Sequence, residues 1–202
     1  MIIWLASFPK SGNTWLRSII SSLVYSEDGI FNFKLNKKIS QFPTKKHFED
    51  FTKEYHNIHE NKKLWILAQD KLNLDNKIKF LKTHHINYTI DGYSFTNKEN
   101  TVGTIYIVRD PRNLVSSISN HCSKSLEDSK DFLLTPKFIA GFKKDGGLEK
   151  DSLKTLIGTW SEHYKFWSNN NENFLLIKYE DLINNTNLDF VFVLKVFLKF
   201  TK

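Results

Sequence analysis

A single cysteine, Cys122, in 202 residues rules out an intrachain disulfide. No stretch approaches the roughly 18–20 consecutive apolar residues that a membrane-spanning helix requires. The apolar run at the N-terminus ends at Ala6, has no basic segment before it, and is too short for the core of a signal peptide. A cytoplasmic setting is therefore expected, where the sequons at Asn87 and Asn184 would meet no glycosylating machinery. Internal repeats and low-complexity linkers are absent, and so is an acidic cage for a metal. His56 and His59 have a metal-ligand spacing, but no third ligand stands convincingly nearby, so the pair reads as a solvated helix face. The phosphate loop Gly-x-x-x-x-Gly-Lys-Ser/Thr is missing as well, which argues against an ATP-driven phosphotransferase.

What is present suits one soluble α/β core. Hydrophobic residues make up 40% of the chain and charged residues 25%, a balance that excludes wholesale disorder. The length accommodates one domain, taken as residues 1–202, and is too short for two ordinary ones. The formal charge of +7 favours anionic partners. Nucleic acid, anionic lipid and a phosphorylated small molecule all qualify on charge. The lysines are scattered, however, and neither a stacking platform nor a nucleic-acid motif accompanies them. A solvated basic surface is the simpler reading, with neither nucleic acid nor membrane as partner.

Short apolar runs alternate with helical patterns. Residues 2–8 predict a buried strand that enters a Pro-Lys-Ser-Gly turn. The helix that follows has Leu16, Ile19, Ile20, Leu23 and Val24 on one face. Residues 29–43 read as irregular, and residues 44–73 carry helically spaced apolar side chains. Strands are predicted at 78–83, 104–108 and 174–178, and helices after Arg109, over 153–167 and over 188–200. This alternation implies a central parallel sheet flanked by helices. In such folds the ligand sits beyond the carboxyl ends of the strands.

Three polar clusters fall at strand ends. The first is FPKSGNTW, residues 8–15. A strand hands over to a helix through Lys10, Ser11, Gly12, Asn13 and Thr14. The free N–H groups at the helix start and the helix dipole make an anion site. Gly12 allows close approach of a phosphate, Ser11 and Thr14 add hydroxyls, and Lys10 adds a mobile charge. The second cluster is YIVRDPRNLVSS, residues 106–117, in which Arg109 ends a strand and its fork suits a phosphate. Ser117 lies eight positions on and returns a hydroxyl toward the same anion. The third is FLKTHH, residues 80–85, where a strand-end histidine is well placed to act as a general base.

These motifs closely resemble those of the sulfotransferases that use 3′-phosphoadenosine 5′-phosphosulfate (PAPS). FPKSGNTW is similar, nearly letter for letter, to the family's 5′-phosphosulfate loop. The resemblance implies a P-loop-like nucleotide-binding fold and in-line transfer of a sulfuryl group to a hydroxyl or amine of a small-molecule or carbohydrate acceptor. No metal is implied. It further implies that Arg109 and Ser117 hold the 3′-phosphate, and that His84, rather than the adjacent His85, takes the acceptor's proton. Lys82 would support the sulfuryl group, and Lys10 would stabilise the leaving adenosine 3′,5′-bisphosphate. Trp15 would stack on the adenine, with Tyr179 of the YEDL segment (179–182) beside it. The family's basic, glycine-containing C-terminal loop has no counterpart in these residues. The expected alternative is a bisphosphate-nucleotide-binding module of the same fold that turns over weakly or not at all.

Overall fold

In the computed structural model, residues 1–139, 153–169 and 173–184 are described. The chain runs β1 (Ile2–Ala6), α1 (Asn13–Tyr25), a 3-10 helix (Phe33–Lys38) and β2 (Ser40–Gln41). Two further 3-10 helices, Lys45–His47 and Lys62–Leu64, flank α2 (Ile58–Asn61), and α3 (Trp65–Asn73) leads to β3 (Lys79–Thr83). A hairpin follows, of β4 (Thr89–Ile90) and β5 (Tyr93–Ser94), and then β6 (Thr101–Val108), α4 (Pro111–Cys122) and α5 (Leu126–Leu134). A second small pair, β7 (Phe138–Ile139) and β8 (Thr155–Leu156), precedes α6 (Trp160–Asn169), β9 (Phe174–Lys178) and α7 (Tyr179–Asn184). The main sheet is parallel throughout, in the order β2-β3-β1-β6-β9.

β1 is central, and all five of its side chains are buried. Side chains alternate across a strand, so this short run feeds two cores at once. Ile2, Trp4 and Ala6 join Phe42, Phe48, Trp65, Phe95 and Trp167, under α3 and α6. Ile3 and Leu5 join Leu16, Ile20, Ile105, Ile107 and Leu182, under α1 and α7. Removing one such aliphatic side chain from water stabilises the fold by roughly 1.5–3 kcal/mol. A continuous apolar strand is what a parallel sheet covered on both faces demands. A third core, of Phe8, Leu114, Ile118, Leu133 and Ile157, closes the carboxyl edge beneath α4 and α5. No helix among the described residues is long and apolar enough to cross a membrane.

The structure departs from the sequence-based expectation in three places. Residues 153–167 are not one helix: β8 comes first, Gly158 turns the chain at φ 61°, and α6 begins at Trp160. Thr159 and Glu162 cap that start, with Glu162 Oε2 accepting from the Thr159 N–H at 2.9 Å and Thr159 Oγ1 accepting from the Glu162 N–H at 3.2 Å. Residues 44–73 break into short turns before α3, because Phe48, Phe51, Tyr55 and Ile58 all pack into the first core instead of following one helical stripe. Residues 29–43 contain a 3-10 helix that docks on α1 through Asn36, whose amide bonds Ser18 and Ser21. The helix expected at 188–200 lies outside the described residues.

Several histidines are buried in the neutral form. Burial lowers His163 and His47 to a pKa of about 4 and His85 to about 3, from an ordinary 6.5. An unfolded chain protonates these rings near pH 6.5, whereas the folded chain resists until much lower pH. Their contribution to stability is therefore complete above pH 6.5 and is lost as pH falls through the folded values. The thermal midpoint should drop steadily from pH 7 to pH 4.5, and His163→Gln should flatten that slope. A midpoint independent of pH over this range would contradict the neutral assignment.

Candidate active site

The register of the sheet brings four strand ends together. Ala6 at the end of β1 pairs with Thr83 of β3 and with Tyr106 of β6, while Val108 of β6 pairs with Lys178 of β9. The residues just beyond those ends are the turn at 7–12, His84, Arg109 and Tyr179. The sequence clusters, far apart along the chain, thus meet on one edge.

Between β1 and α1 the backbone takes two left-handed steps, Lys10 at φ 68° and Gly12 at φ 99°. Gly12 occupies the N-cap of α1, where no side chain caps the helix, and the first turn carries no acidic residue. The N–H groups there keep their capacity for an external acceptor, and the helix dipole favours an anion. Two more donors sit beside them without partners. Ser11 is 1% exposed and its Oγ has no hydrogen bond, and neither does the buried Nε of Arg109. Buried donors are rarely left unpaired, so this arrangement fits an anionic group and would hold one without displacing any existing bond.

Arg109 is aimed by its surroundings. Its NH1 donates to the Lys10 carbonyl at 3.3 Å, and its guanidinium lies 4.3 Å from the centre of the Tyr179 ring. Trp15 meets the same ring edge-on at 5.9 Å. Asp110 does not compete for Arg109, because its carboxylate is taken up by Arg112, which holds its pKa down at about 2. Glu180 accepts from the Asp110 N–H at 2.9 Å, fastening the start of α7 to the turn before α4. Ser117 is half-buried on α4, and Thr14 is exposed on the first turn of α1.

His84 stands on the other side of the turn. Its Nδ1 lies 2.8 Å from the Ser7 carbonyl oxygen and 3.2 Å from Ser7 Oγ. A carbonyl can only accept, so Nδ1 carries the proton and Nε2 carries the free lone pair. Burial, reinforced by Lys82, holds the ring well below its ordinary pKa, so it is neutral near pH 7. Lys82 donates to Gln41 Oε1 at 3.1 Å across β2 and β3. His85 points into the core instead, stacked on Phe95 at 4.3 Å with its Nδ1–H given to the Ile86 carbonyl.

Residues 2–191 match the model of a family described as the sulfotransferase domain. The chain belongs to this family. Among solved structures, the sulfotransferase domain is similar to a retinol dehydratase in a complex with retinol and PAP, at 16% identity and a TM-score of 0.51. That match covers 96% of this chain and 59% of the other, so the domain spans less than two thirds of that protein's length. At this identity the likeness is one of fold. No curated protein matches the chain.

Of the residues singled out in the sequence, Lys10, Ser11, Gly12, Thr14, Trp15, Lys82, His84, Arg109 and Tyr179 stand on or beside this edge. Asn13 is on α1, but its side chain turns inward, away from the anion position, and only its backbone N–H belongs to the helix start. The sequence reading passed over Ser7, Gln41, Glu180, Tyr106 and His163. Ser7 was the most findable, as the first residue after β1. His163 gives no local signal, since its partners Tyr106 and His84 are 57 and 79 residues away. A separate cavity of about 470 Å³, lined by Asn87, Thr96, Lys98, Glu99 and Asn173 among others, lies toward the amino ends of β6 and β9, away from this edge.

Gly12 has no room for a side chain. A Cβ there would lie 2.4 Å from Tyr179 Cδ2 and 3.3 Å from Ile107 Cδ1, on a backbone that disfavours L-residues. Gly12→Ala should destabilise the domain by at least about 1 kcal/mol in urea denaturation, from the left-handed backbone alone. Adding Tyr179→Ala should recover part of the loss, because it removes the clash and not the backbone strain. Strict additivity of the two changes would mean that the ring does not rest on Gly12 in solution.

Proposed function

We propose that this sulfotransferase domain moves a sulfuryl group from PAPS to the hydroxyl or amine of a small-molecule or carbohydrate acceptor. One observation carries the reading: unpartnered donors at the uncapped start of α1 face the same edge as a neutral histidine whose Nε2 lone pair is free. The first feature suits a phosphate and the second suits proton abstraction.

The N–H groups of the turn, Ser11 Oγ and Lys10 bind the 5′-phosphate. Arg109 and Ser117 take the 3′-phosphate, with Trp15 and Tyr179 beside the adenine. His84 Nε2 accepts the proton of the acceptor as the new oxygen–sulfur or nitrogen–sulfur bond forms. The bond between sulfur and the 5′-phosphate oxygen breaks on the opposite side, leaving adenosine 3′,5′-bisphosphate. Lys10 and the helix start meet the charge that grows on that oxygen, and Lys82 supports the sulfuryl oxygens in flight. Rate enhancement comes from alignment, preorganised charge and a positioned base. The lowered pKa of His84 keeps the ring neutral, and so able to accept a proton, near pH 7.

Two measurements test the reading. Calorimetry should show adenosine 3′,5′-bisphosphate binding about 10- to 100-fold more tightly than AMP, the value of one charge-assisted hydrogen bond to the second phosphate. Equal affinities would remove Arg109 and Ser117 from the site. His84→Ala should lower turnover by about 10²–10⁴-fold while leaving bisphosphate affinity essentially unchanged. Tight bisphosphate binding by a wild-type chain that transfers nothing would instead identify a nucleotide-binding module.

A further inference from the structure

We propose that Asn13 and Ser7 are positioning residues for His84, so that the turn which starts α1 also sets the tautomer and direction of the base. The inference rests on the reading of His84 as the proton acceptor and adds the device that holds it.

Asn13 sits in the first turn of α1, where side chains ordinarily face solvent or a ligand. Here it is 3% exposed and reaches backward. Its Nδ2 donates to the Leu5 carbonyl at 2.9 Å and to Ser7 Oγ at 3.0 Å, which uses both amide protons. Oδ1, buried with no partner, does nothing comparable, so the residue serves as a double donor. Ser7 is fully buried and is held from two sides. Asn13 fixes its hydroxyl, and its N–H donates to the Thr83 carbonyl at 3.3 Å, continuing the pairing of β1 with β3. Thus held, Ser7 offers its carbonyl to His84 Nδ1 at 2.8 Å and its Oγ at 3.2 Å. The carbonyl, which can only accept, sets the proton on Nδ1, and the hydroxyl then accepts as well.

The backbone of His84 is fixed from the opposite side. His163 Nε2 lies 3.1 Å from the His84 carbonyl and therefore donates to it. His163 Nδ1 is then an acceptor, filled by the Tyr106 hydroxyl at 2.8 Å. Main chain and ring of His84 are each anchored, and Asn13 is the member of the set that belongs to the anion-binding turn.

The test uses the full chain, Asn13→Ala and Ser7→Ala. Imidazole nitrogen NMR reads the tautomer of His84, calorimetry the bisphosphate Kd, and a transfer assay kcat. Asn13→Ala, which releases Ser7, should shift His84 from one tautomer to a mixture, whereas Ser7→Ala keeps the carbonyl and should shift the tautomer less. Turnover at saturation should fall about 10-fold, a fraction of what a general base contributes, with Kd changed less than about 2-fold. An unchanged tautomer in both variants would overturn the proposal. So would a weakened Kd at full kcat, which would make Asn13 a nucleotide ligand. Should Asn13→Ala unfold, Ser7→Ala removes a single oxygen and supplies the kcat and Kd readings, a fall in kcat at unchanged Kd supporting the proposal and an unchanged kcat overturning it. The tautomer and Kd stand even if the wild-type chain transfers nothing, in which case the role of His84 as base fails and the positioning geometry does not.

Discussion

The parallel pairing of β1 with β3 on one side and β6 on the other is the constraint on which the rest of the molecule depends. Five buried residues fix the register of both neighbours. That register decides that the first residue past β3 is a histidine beside Ser7, and that Arg109 emerges beside Lys10. Because β1 is apolar on both faces, helices must cover it twice. The cover on one face, α1, is also the element whose uncapped start suits an anion. Core packing and the site are therefore not separable: shifting β1 by one residue would exchange its two cores and misplace every group at the carboxyl edge.

Charge at the edge is arranged by withholding partners. Asp110 belongs to Arg112 and Glu180 to a backbone N–H, so neither carboxylate neutralises Arg109. The histidines nearby are kept neutral by burial, which outweighs the opposite pull of the carbonyls that accept their N–H groups. The result is a cationic edge built from Lys10, Lys82 and Arg109 in which the Nε2 lone pair of His84 is not consumed by a proton.

Much of this was legible in the sequence because it is local. The strands expected at 2–8, 78–83, 104–108 and 174–178 announce themselves as short apolar runs, and the structure places them at 2–6, 79–83, 101–108 and 174–178; the turn at Lys10 to Gly12 carries its own chemistry. What was not legible is long-range or directional. Nothing near Asn13 says that its amide turns back to Leu5 and Ser7 rather than outward, since either course satisfies a residue in a first helical turn. The helix expected over 153–167 failed differently. It spans a boundary that turn chemistry marks, Gly158 followed by the Thr159–Glu162 cap. Residues 44–73 fooled the periodicity because an aromatic-rich core draws in side chains from irregular backbone as readily as from a helix.

The Tyr179 ring that rests on Gly12 and faces Arg109 ties the site to the edge of the sheet. The turn, His84 and Arg109 all belong to the first 109 residues, and β3 and β6 both pair with β1. Tyr179 arrives only with β9, which adds to the free edge of β6. A change that loosens β9 from β6 would therefore withdraw Tyr179 from Gly12 and Arg109 while leaving both in place, so the aromatic wall beside the turn is a long-range property of the sheet edge.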